Sequence, residues 1–465
     1  MARRRSDNPI PPAPMPPMPD LRAEQPGEFT GRYLVLMRED GAKDGLKAIK
    51  AATGLDHVCS AADYEGGAVD MAESDAAEVL VLDKLSVAVV DTDPTQAGSL
   101  QAAAADDSAI LAVEPERIMY AIAERQPVGA VEFPFDYLKG YRDAVNHLYA
   151  TLTGAPGEDR GEIEDSAVIA DSARLTWGLQ ATLVSQSRFG GRGVRVAVLD
   201  TGLDLAHPDF AGRSINSRSF VTGELVQDGK GHGTHCIGTA LGPKSPSTGV
   251  RRYGCAFGAE IFVGKVLSNQ GSGTDTSILT GINWAITNKC RVISMSLGAR
   301  CRPGDPFSQI YEALAQSALR SDPGTLIIAA AGNNSRLPNG RRQVPPNPVS
   351  HPANCPSIMA VAALDANFGI APFSDGGINP NGGGVDIAGP GVSVFSSFPM
   401  NEGGHTLLSG TSMATPHVAG IAAMWLEAQG AGTPAQALWQ LLTGNARRMA
   451  LPSRDVGAGL VQAPQ

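Results

Sequence analysis

The chain has 465 residues, 43% of them hydrophobic and 18% charged. That balance can bury a sizeable core, and the length suggests two or three folded units. A formal net charge of −10 disfavours non-specific attraction to nucleic acid or anionic lipid, so neither is an expected partner, and no run reaches the roughly 18 apolar residues needed to span a bilayer.

Arg3, Arg4 and Arg5 resemble the charged start of a targeting segment, but NPIPPAPMPPMP follows where an apolar stretch would be needed. Residues 1–26 therefore read as a disordered, polyproline-like arm, and the expected compartment is the cytoplasm, with export by a route lacking an N-terminal signature left open. From Arg32 the order is strand (RYLVLM), helix (AKDGLKAIKAATG), an ill-defined stretch, strand (LSVAVV), helix (DPTQAGSLQAAAA) and strand (AILAVE). This predicts a small ferredoxin-like α+β unit over residues 27–122. Residues 123–176 hold an amphipathic helical pattern, FDYLKGYRDAVNHLYATL, and the acidic stretch GAPGEDRGEIEDSAVIADSA, together a linker with an embedded helix. Beyond Trp177 the apolar runs VRVAVLD, EIFVGKVL, RVISMSLG and TLIIAAAGN alternate with helix-length segments. Residues 177–465 are thus expected to form a three-layer α/β fold around a mostly parallel sheet.

The six cysteines match no zinc spacing and suggest no disulfide framework. Cys290 and Cys301 bracket RVISMSLG, and a strand rising about 3.3 Å per residue would hold them beyond the roughly 7 Å bridging limit.

Functional groups of a parallel sheet gather beyond the carboxyl ends of its strands. Asp200 closes VRVAVLD there; alone, it reads equally well as a strand-to-turn cap. His232, in GKGHGTHCIGTAL, lies between two glycines at a predicted helix start, open to a substrate and able to accept a proton near neutral pH; His235 fits a core role better. Ser412, in SGTSMATPHVAG, enters a long apolar helix whose free N–H groups and dipole would stabilise a neighbouring oxyanion. Asn333 follows the strand in IIAAAGNNS and could offer a second oxyanion donor, with Asn334 its competitor.

The ordered segments VAVLDTGLDLAHPDF, GHGTHCIGT, SMSLG, IIAAAGN and GTSMATPHVAG resemble the subtilisin-like serine proteases, with Cys236 in HGTHC resembling the proteinase K branch. ILAVEPERIMYAI resembles the C-terminal edge of that family's inhibitory prodomains. The resemblance implies serine endopeptidase activity on protein or peptide substrates through an Asp200–His232–Ser412 triad, with Asn333 in the oxyanion hole. It implies substrate-binding strands at Gly271, Ser272, Gly273 and at Ser296, Leu297, Gly298, and a small-walled pocket at Ala330, Ala331 and Gly332 with broad, apolar-leaning preference. It further implies a self-inhibited zymogen, cut after about Ile122, whose own prodomain is an intramolecular inhibitor. No cofactor is expected for the chemistry. A structural calcium is implied at Asp386, while LGPKSPSTGVRRYG replaces the loop that would complete a site at Asp209. Two other classes compete: an α/β-hydrolase, whose G-x-S-x-G elbow is missing here, and a binding protein without turnover, which would have lost a catalytic residue.

Overall fold

The computed structural model describes residues 28–39, 41–105, 109–122, 124–125 and 169–465. The proline-rich arm and the predicted linker helix lie outside these. Among the described residues no helix is long and apolar enough to cross a membrane.

The larger architecture is a seven-stranded, all-parallel sheet. In chain order its strands are β7 (Arg195–Asp200), β8 (Ile215–Ser219), β9 (Glu260–Lys265), β11 (Val292–Met295), β13 (Leu326–Ala330), β14 (Met359–Leu364) and β15 (Ile387–Pro390), arranged β15-β14-β13-β11-β7-β9-β8. Side chains alternate between the faces of a strand, and here both faces are apolar. Ala197, Leu199, Ile293, Ile327 and Ala329 enter one core, whereas Val196, Val198, Val292, Leu326 and Ile328 enter the other. Continuous apolar runs are therefore what such strands require. On one face the helices His232–Leu241 and Thr411–Gln429 cross closely, because a Cβ at Gly420 would lie 2.6 Å from the Ala240 oxygen. The other face carries the helices Asp275–Thr287 and Gln309–Arg320.

The N-terminal strands β1 (Phe29–Met37), β2 (Val58–Ser60), β3 (Val79–Leu82), β4 (Val87–Val90) and β5 (Ile110–Ala121) form a mainly antiparallel sheet, ordered β5-β1-β4-β3-β2. Val35, Val79, Val81, Ala88 and Val90 pack with Ile49 and Leu100 of the helices Ala42–Thr53 and Pro94–Ala105. The alternate residues, among them Leu34, Leu80, Leu82 and Val89, share a core with Ile278, Ile282 and Leu314 of the helices beneath the parallel sheet. The stretch that lacked a clear pattern in the sequence holds β2, β3 and short helical turns. All six cysteines are free thiols.

Two boundaries differ from the sequence reading. RVISMSLG breaks at Ser296, leaving β12 (Leu297–Gly298) to leave the parallel sheet and pair elsewhere. The strand expected to end near Glu114 runs on to Ala121, because β10 (Ser272–Thr274) and β12 pair antiparallel with its last residues.

Candidate active site

Asp200 ends β7, and His232 begins the helix that follows Gly231, whose left-handed φ of 87° suits a residue without a side chain. Their side chains meet: His232 Nδ1 and Asp200 Oδ1 are 2.7 Å apart, and Oδ1 also accepts from the Thr201 amide at 2.7 Å. Both residues are buried, and His232 Nε2 has no hydrogen-bond partner. Burial opposes charge on the imidazole, but the adjacent Asp200 carboxylate overrides it and raises the His232 pKa. Cys236 lies 3.9 Å from His232 Nδ1 and acts in the same direction as Asp200, while burial lifts the pKa of its own thiol. The His235 ring donates from Nε2 to the Val394 carbonyl, 2.9 Å away, and burial lowers its pKa to about 3, which fits the core role.

Ser412 is the second residue of the helix Thr411–Gln429. Its hydroxyl donates to the Ser296 carbonyl at 3.1 Å, so it is bonded there and not to His232. Ser296 in turn donates its own hydroxyl to the Ser412 carbonyl at 2.8 Å. The helix start, the break after β11 and the end of β7 thus converge.

Asn333 is clamped on one side and free to donate on the other. Its Oδ1 accepts from the Thr411 amide at 3.0 Å and the Thr411 hydroxyl at 2.9 Å, which aims Nδ2 at the Ile122 carbonyl, 3.0 Å away. Asn334 instead binds Asp375 and Ser350 and does not face this carbonyl. Gly332, with φ 113°, has no room for a Cβ, which would lie 2.2 Å from Asp375 Oδ2.

The chain leading to Ile122 fills the groove. Tyr120 pairs with Ser272 and Gly298, Met119 with Gly273, and Ala121 with Leu297, while the Ala121 amide donates to the Gly271 carbonyl at 2.9 Å. A Cβ on Gly298 would come 3.0 Å from Ile122 Cδ1, so the missing side chain leaves that residue its space. Ala330 and Ala331 are fully buried behind Gly332. Past Ile122 the two residues of β6 (Glu124–Arg125) pair with β17 (His405–Ser409), which also pairs with β16 (Val394–Ser397). Ile118–Ala121 therefore lie between β10 and β12 as an added strand.

Sequence reading missed Asp228, which accepts from the Thr201 hydroxyl, the Lys230, Gly231 and Thr234 amides and the Thr234 hydroxyl at 2.7–3.0 Å. It fixes both the turn after Asp200 and the turn before His232. The signal was the local Asp-Gly-Lys-Gly pattern, which favours an aspartate-capped turn. Lys265, fully buried, donates to the Thr201 carbonyl at 2.6 Å; inside EIFVGK it carried no such signal.

The candidate calcium ligand Asp386 is elsewhere. Its Oδ2 accepts from the Ala360 amide at 2.8 Å, burial raises its pKa to about 7, and it joins neither cluster of three potential ligand side chains among the described residues. Asp209 belongs to one cluster, with His207 and His405, but it is met by donors: the hydroxyls of Ser247, Thr248 and Tyr253, the Thr248 amide and His405, all within 3.1 Å. Burial opposes its charge, yet these bonds hold its pKa down near 2. The loop replacing the expected calcium loop thus supplies N–H and O–H groups.

Residues 191–459 match the sequence pattern of the Subtilase family, more than half of the chain. The chain belongs to the subtilase family. Subtilases are serine endopeptidases, and their catalysis needs no cofactor. Subtilisin DY of Bacillus licheniformis is 38% identical over 249 residues, 53% of this chain and 82% of its own length. Subtilisin Savinase of Lederbergia lenta is 40% identical over 254 residues, 54% and 83% respectively. M-protease of Shouchella clausii is 39% identical over 265 residues, covering 56% of this chain and 62% of the relative. These matches overturn the cytoplasmic expectation, because these relatives are secreted, extracellular subtilisins. The missing apolar run near Arg3–Arg5 carries no weight against that finding.

Proposed function

We propose that this subtilase is a self-cleaving zymogen that hydrolyses peptide bonds through Asp200, His232 and Ser412. The carrying observation is the Ile122 carbonyl, whose oxygen accepts from Asn333 Nδ2 at 3.0 Å while its strand pairs with both walls of the groove. A scissile carbonyl needs that environment. The Ser412 hydroxyl turns from the Ser296 carbonyl toward His232 Nε2, the unpartnered nitrogen, and loses its proton to it as Oγ bonds the carbonyl carbon. The oxyanion takes hydrogen bonds from Asn333 Nδ2 and the Ser412 amide at the helix start. As the C–N bond breaks, the imidazolium returns the proton to the leaving amine, and Asp200 stabilises the cation and fixes the tautomer. Water, deprotonated by the same imidazole, then attacks the ester, and the proton passes back to Ser412. Calcium enters no step.

In this reading residues 1–26 are an arm, 27–122 the inhibitory prodomain, 123–176 a linker and 177–465 the catalytic domain. The first cut falls after Ile122 and the prodomain stays bound until degraded. Specificity is broad and leans apolar, as Ile122 beside Gly298 and the fully buried Met119 suggest. Intact-mass measurement of the parent and Ser412→Ala chains, expressed side by side, tests it. The parent should appear as two fragments divided after Ile122 and Ser412→Ala as one chain. An uncut parent that is fully active on peptides, or identical processing of both in the absence of other proteases, would reject the zymogen.

A further inference from the structure

Five residues before Ile122, a basic side chain is enclosed between two carboxylates. The Arg117 side chain is 16% exposed, and its Nη1 lies 3.4 Å from Glu114 Oε2 and 3.9 Å from Asp275 Oδ2. The Arg117 amide donates to the same Asp275 oxygen at 2.8 Å, and the other Asp275 oxygen accepts from the Tyr311 hydroxyl at 2.8 Å. Asp275 is completely buried. It follows β10 directly, so a peptide paired with β10 in the register of Ile118–Tyr120 must bring its next residue upstream to this carboxylate.

We propose that Asp275, held by Tyr311, is a substrate subsite that selects arginine five residues before the cleaved residue. This rests on the protease reading above and gives it a second, polar specificity besides the apolar pocket. A carboxylate under a peptide strand is costly to bury without a cation. A guanidinium supplies one: here it stands 3.9 Å from Asp275 as an ion pair and donates to Glu114, the acidic residue three positions earlier in the peptide, at 3.4 Å. Asp275 and Tyr311 belong to the part of the chain after Ile122, whereas Arg117 and Glu114 precede the proposed cut. The pair would therefore remain in the groove when the prodomain leaves. Burial pushes the Asp275 pKa up to about 7, with Arg117 acting against that rise, so the selection is to be read on the alkaline side, where the carboxyl is ionised.

The test uses internally quenched peptides with the sequence of residues 113–127, carrying Arg, Lys or Ala at the position of Arg117, at about pH 8.5. The active parent should favour Arg over Ala in kcat/KM by about tenfold, with Lys between. In Asp275→Asn the ratio should fall to about one. A parent ratio near one, or a ratio that Asp275→Asn leaves intact, overturns the proposal. A second measurement does not need turnover. In full-length Ser412→Ala, Arg117→Ala and Asp275→Asn should each speed hydrogen exchange at the Ala121 amide about tenfold, and the pair together no more than either alone. Arg117→Lys should restore part of the protection, and the β7 and β11 amides report whether the fold is intact. Simple additivity overturns the subsite. If the parent cleaves none of the peptides, the protease reading falls, and the exchange cycle still decides the subsite.

Discussion

The two sheets of this molecule are built from similar apolar segments but are held in different ways. The parallel sheet is enclosed by its own helices, with Val196, Val198 and Ile328 on one side and Leu199, Ile293 and Ile327 on the other. The N-terminal sheet has one face of its own and lends the other to its neighbour. Its edge strand β5 borrows hydrogen bonds from β10 and β12, and its buried Glu114 and Glu116 cap helices of the neighbouring unit. Glu114 accepts from the Gln309 amide at 2.7 Å and Glu116 from the Thr276 amide at 2.8 Å. A carboxylate at a helix N-terminus is a favourable but replaceable contact. One sheet is therefore a scaffold, and the other resembles a ligand that is covalently attached. Substitutions should separate these roles.

The largest separation is expected from Ser412→Ala and His232→Ala. Each should reduce peptide hydrolysis to background and leave the chain as one uncut species, with a melting transition close to that of the parent, because members of a catalytic unit are not additive. Residual cleavage after Ile122 in either purified variant would mean that another protease makes the cut. Asn333→Ala should be milder. Removing one oxyanion donor in a subtilisin costs about 10²–10³ in kcat, and here Thr411 would also lose its acceptor. A variant with the parent kcat would remove Asn333 from the mechanism.

The docking side of the comparison is tested at Glu116. It is fully buried and accepts from Thr276 and from Arg32, with Nε 2.8 Å away. Glu116→Ala leaves Arg32 only its contact to Asp75 at 3.5 Å and leaves the Thr276 amide without its acceptor, so the docked sheet should lose about 2 kcal/mol. In the Ser412→Ala chain this would appear as faster hydrogen exchange in β5 with unchanged exchange in β7 and β11. In the parent it should shorten the lag between cleavage and appearance of activity. An unchanged lag would mean that pairing with β10 and β12 alone holds the segment.

What the sequence made legible follows the same division. The runs in VRVAVLD and TLIIAAAGN specify doubly buried strands because no solvated face competes for them. The residues at their carboxyl ends were found for that reason, and Asn333 was separated from Asn334 by the resemblance alone. What stayed hidden depends on contacts distant in sequence. β5 reaches Ala121 only because β10, about 150 residues later, accepts it. Asp275, within TDTSIL, looks like an ordinary acidic residue in a first helical turn until Arg117 is brought to it. The role of Asp386 was carried over from the resemblance, and its actual partner, the Ala360 amide, could not be read from GVDIAGPG.

The smallest expected effect concerns Cys236. Its sulfur lies 3.5 Å from the Ser412 carbonyl and 3.9 Å from His232 Nδ1, under the site and fully buried. Burial raises the thiol pKa, so reagents that need a thiolate should react slowly, whereas a soft mercury compound that reached the thiol would push His232 and Ser412 apart. Cys236→Ala removes one buried sulfur and leaves a small void, which should cost about 1 kcal/mol of stability and little turnover. The parent should therefore be inhibited by a mercurial and Cys236→Ala largely resist it, with titration of bound mercury showing one equivalent fewer. Cys255, Cys290, Cys301 and Cys355 are buried as well, but the contacts to His232 and the Ser412 carbonyl belong to Cys236. Inhibition that persists in Cys236→Ala would place the sensitive thiol elsewhere and leave Cys236 a packing residue of the scaffold.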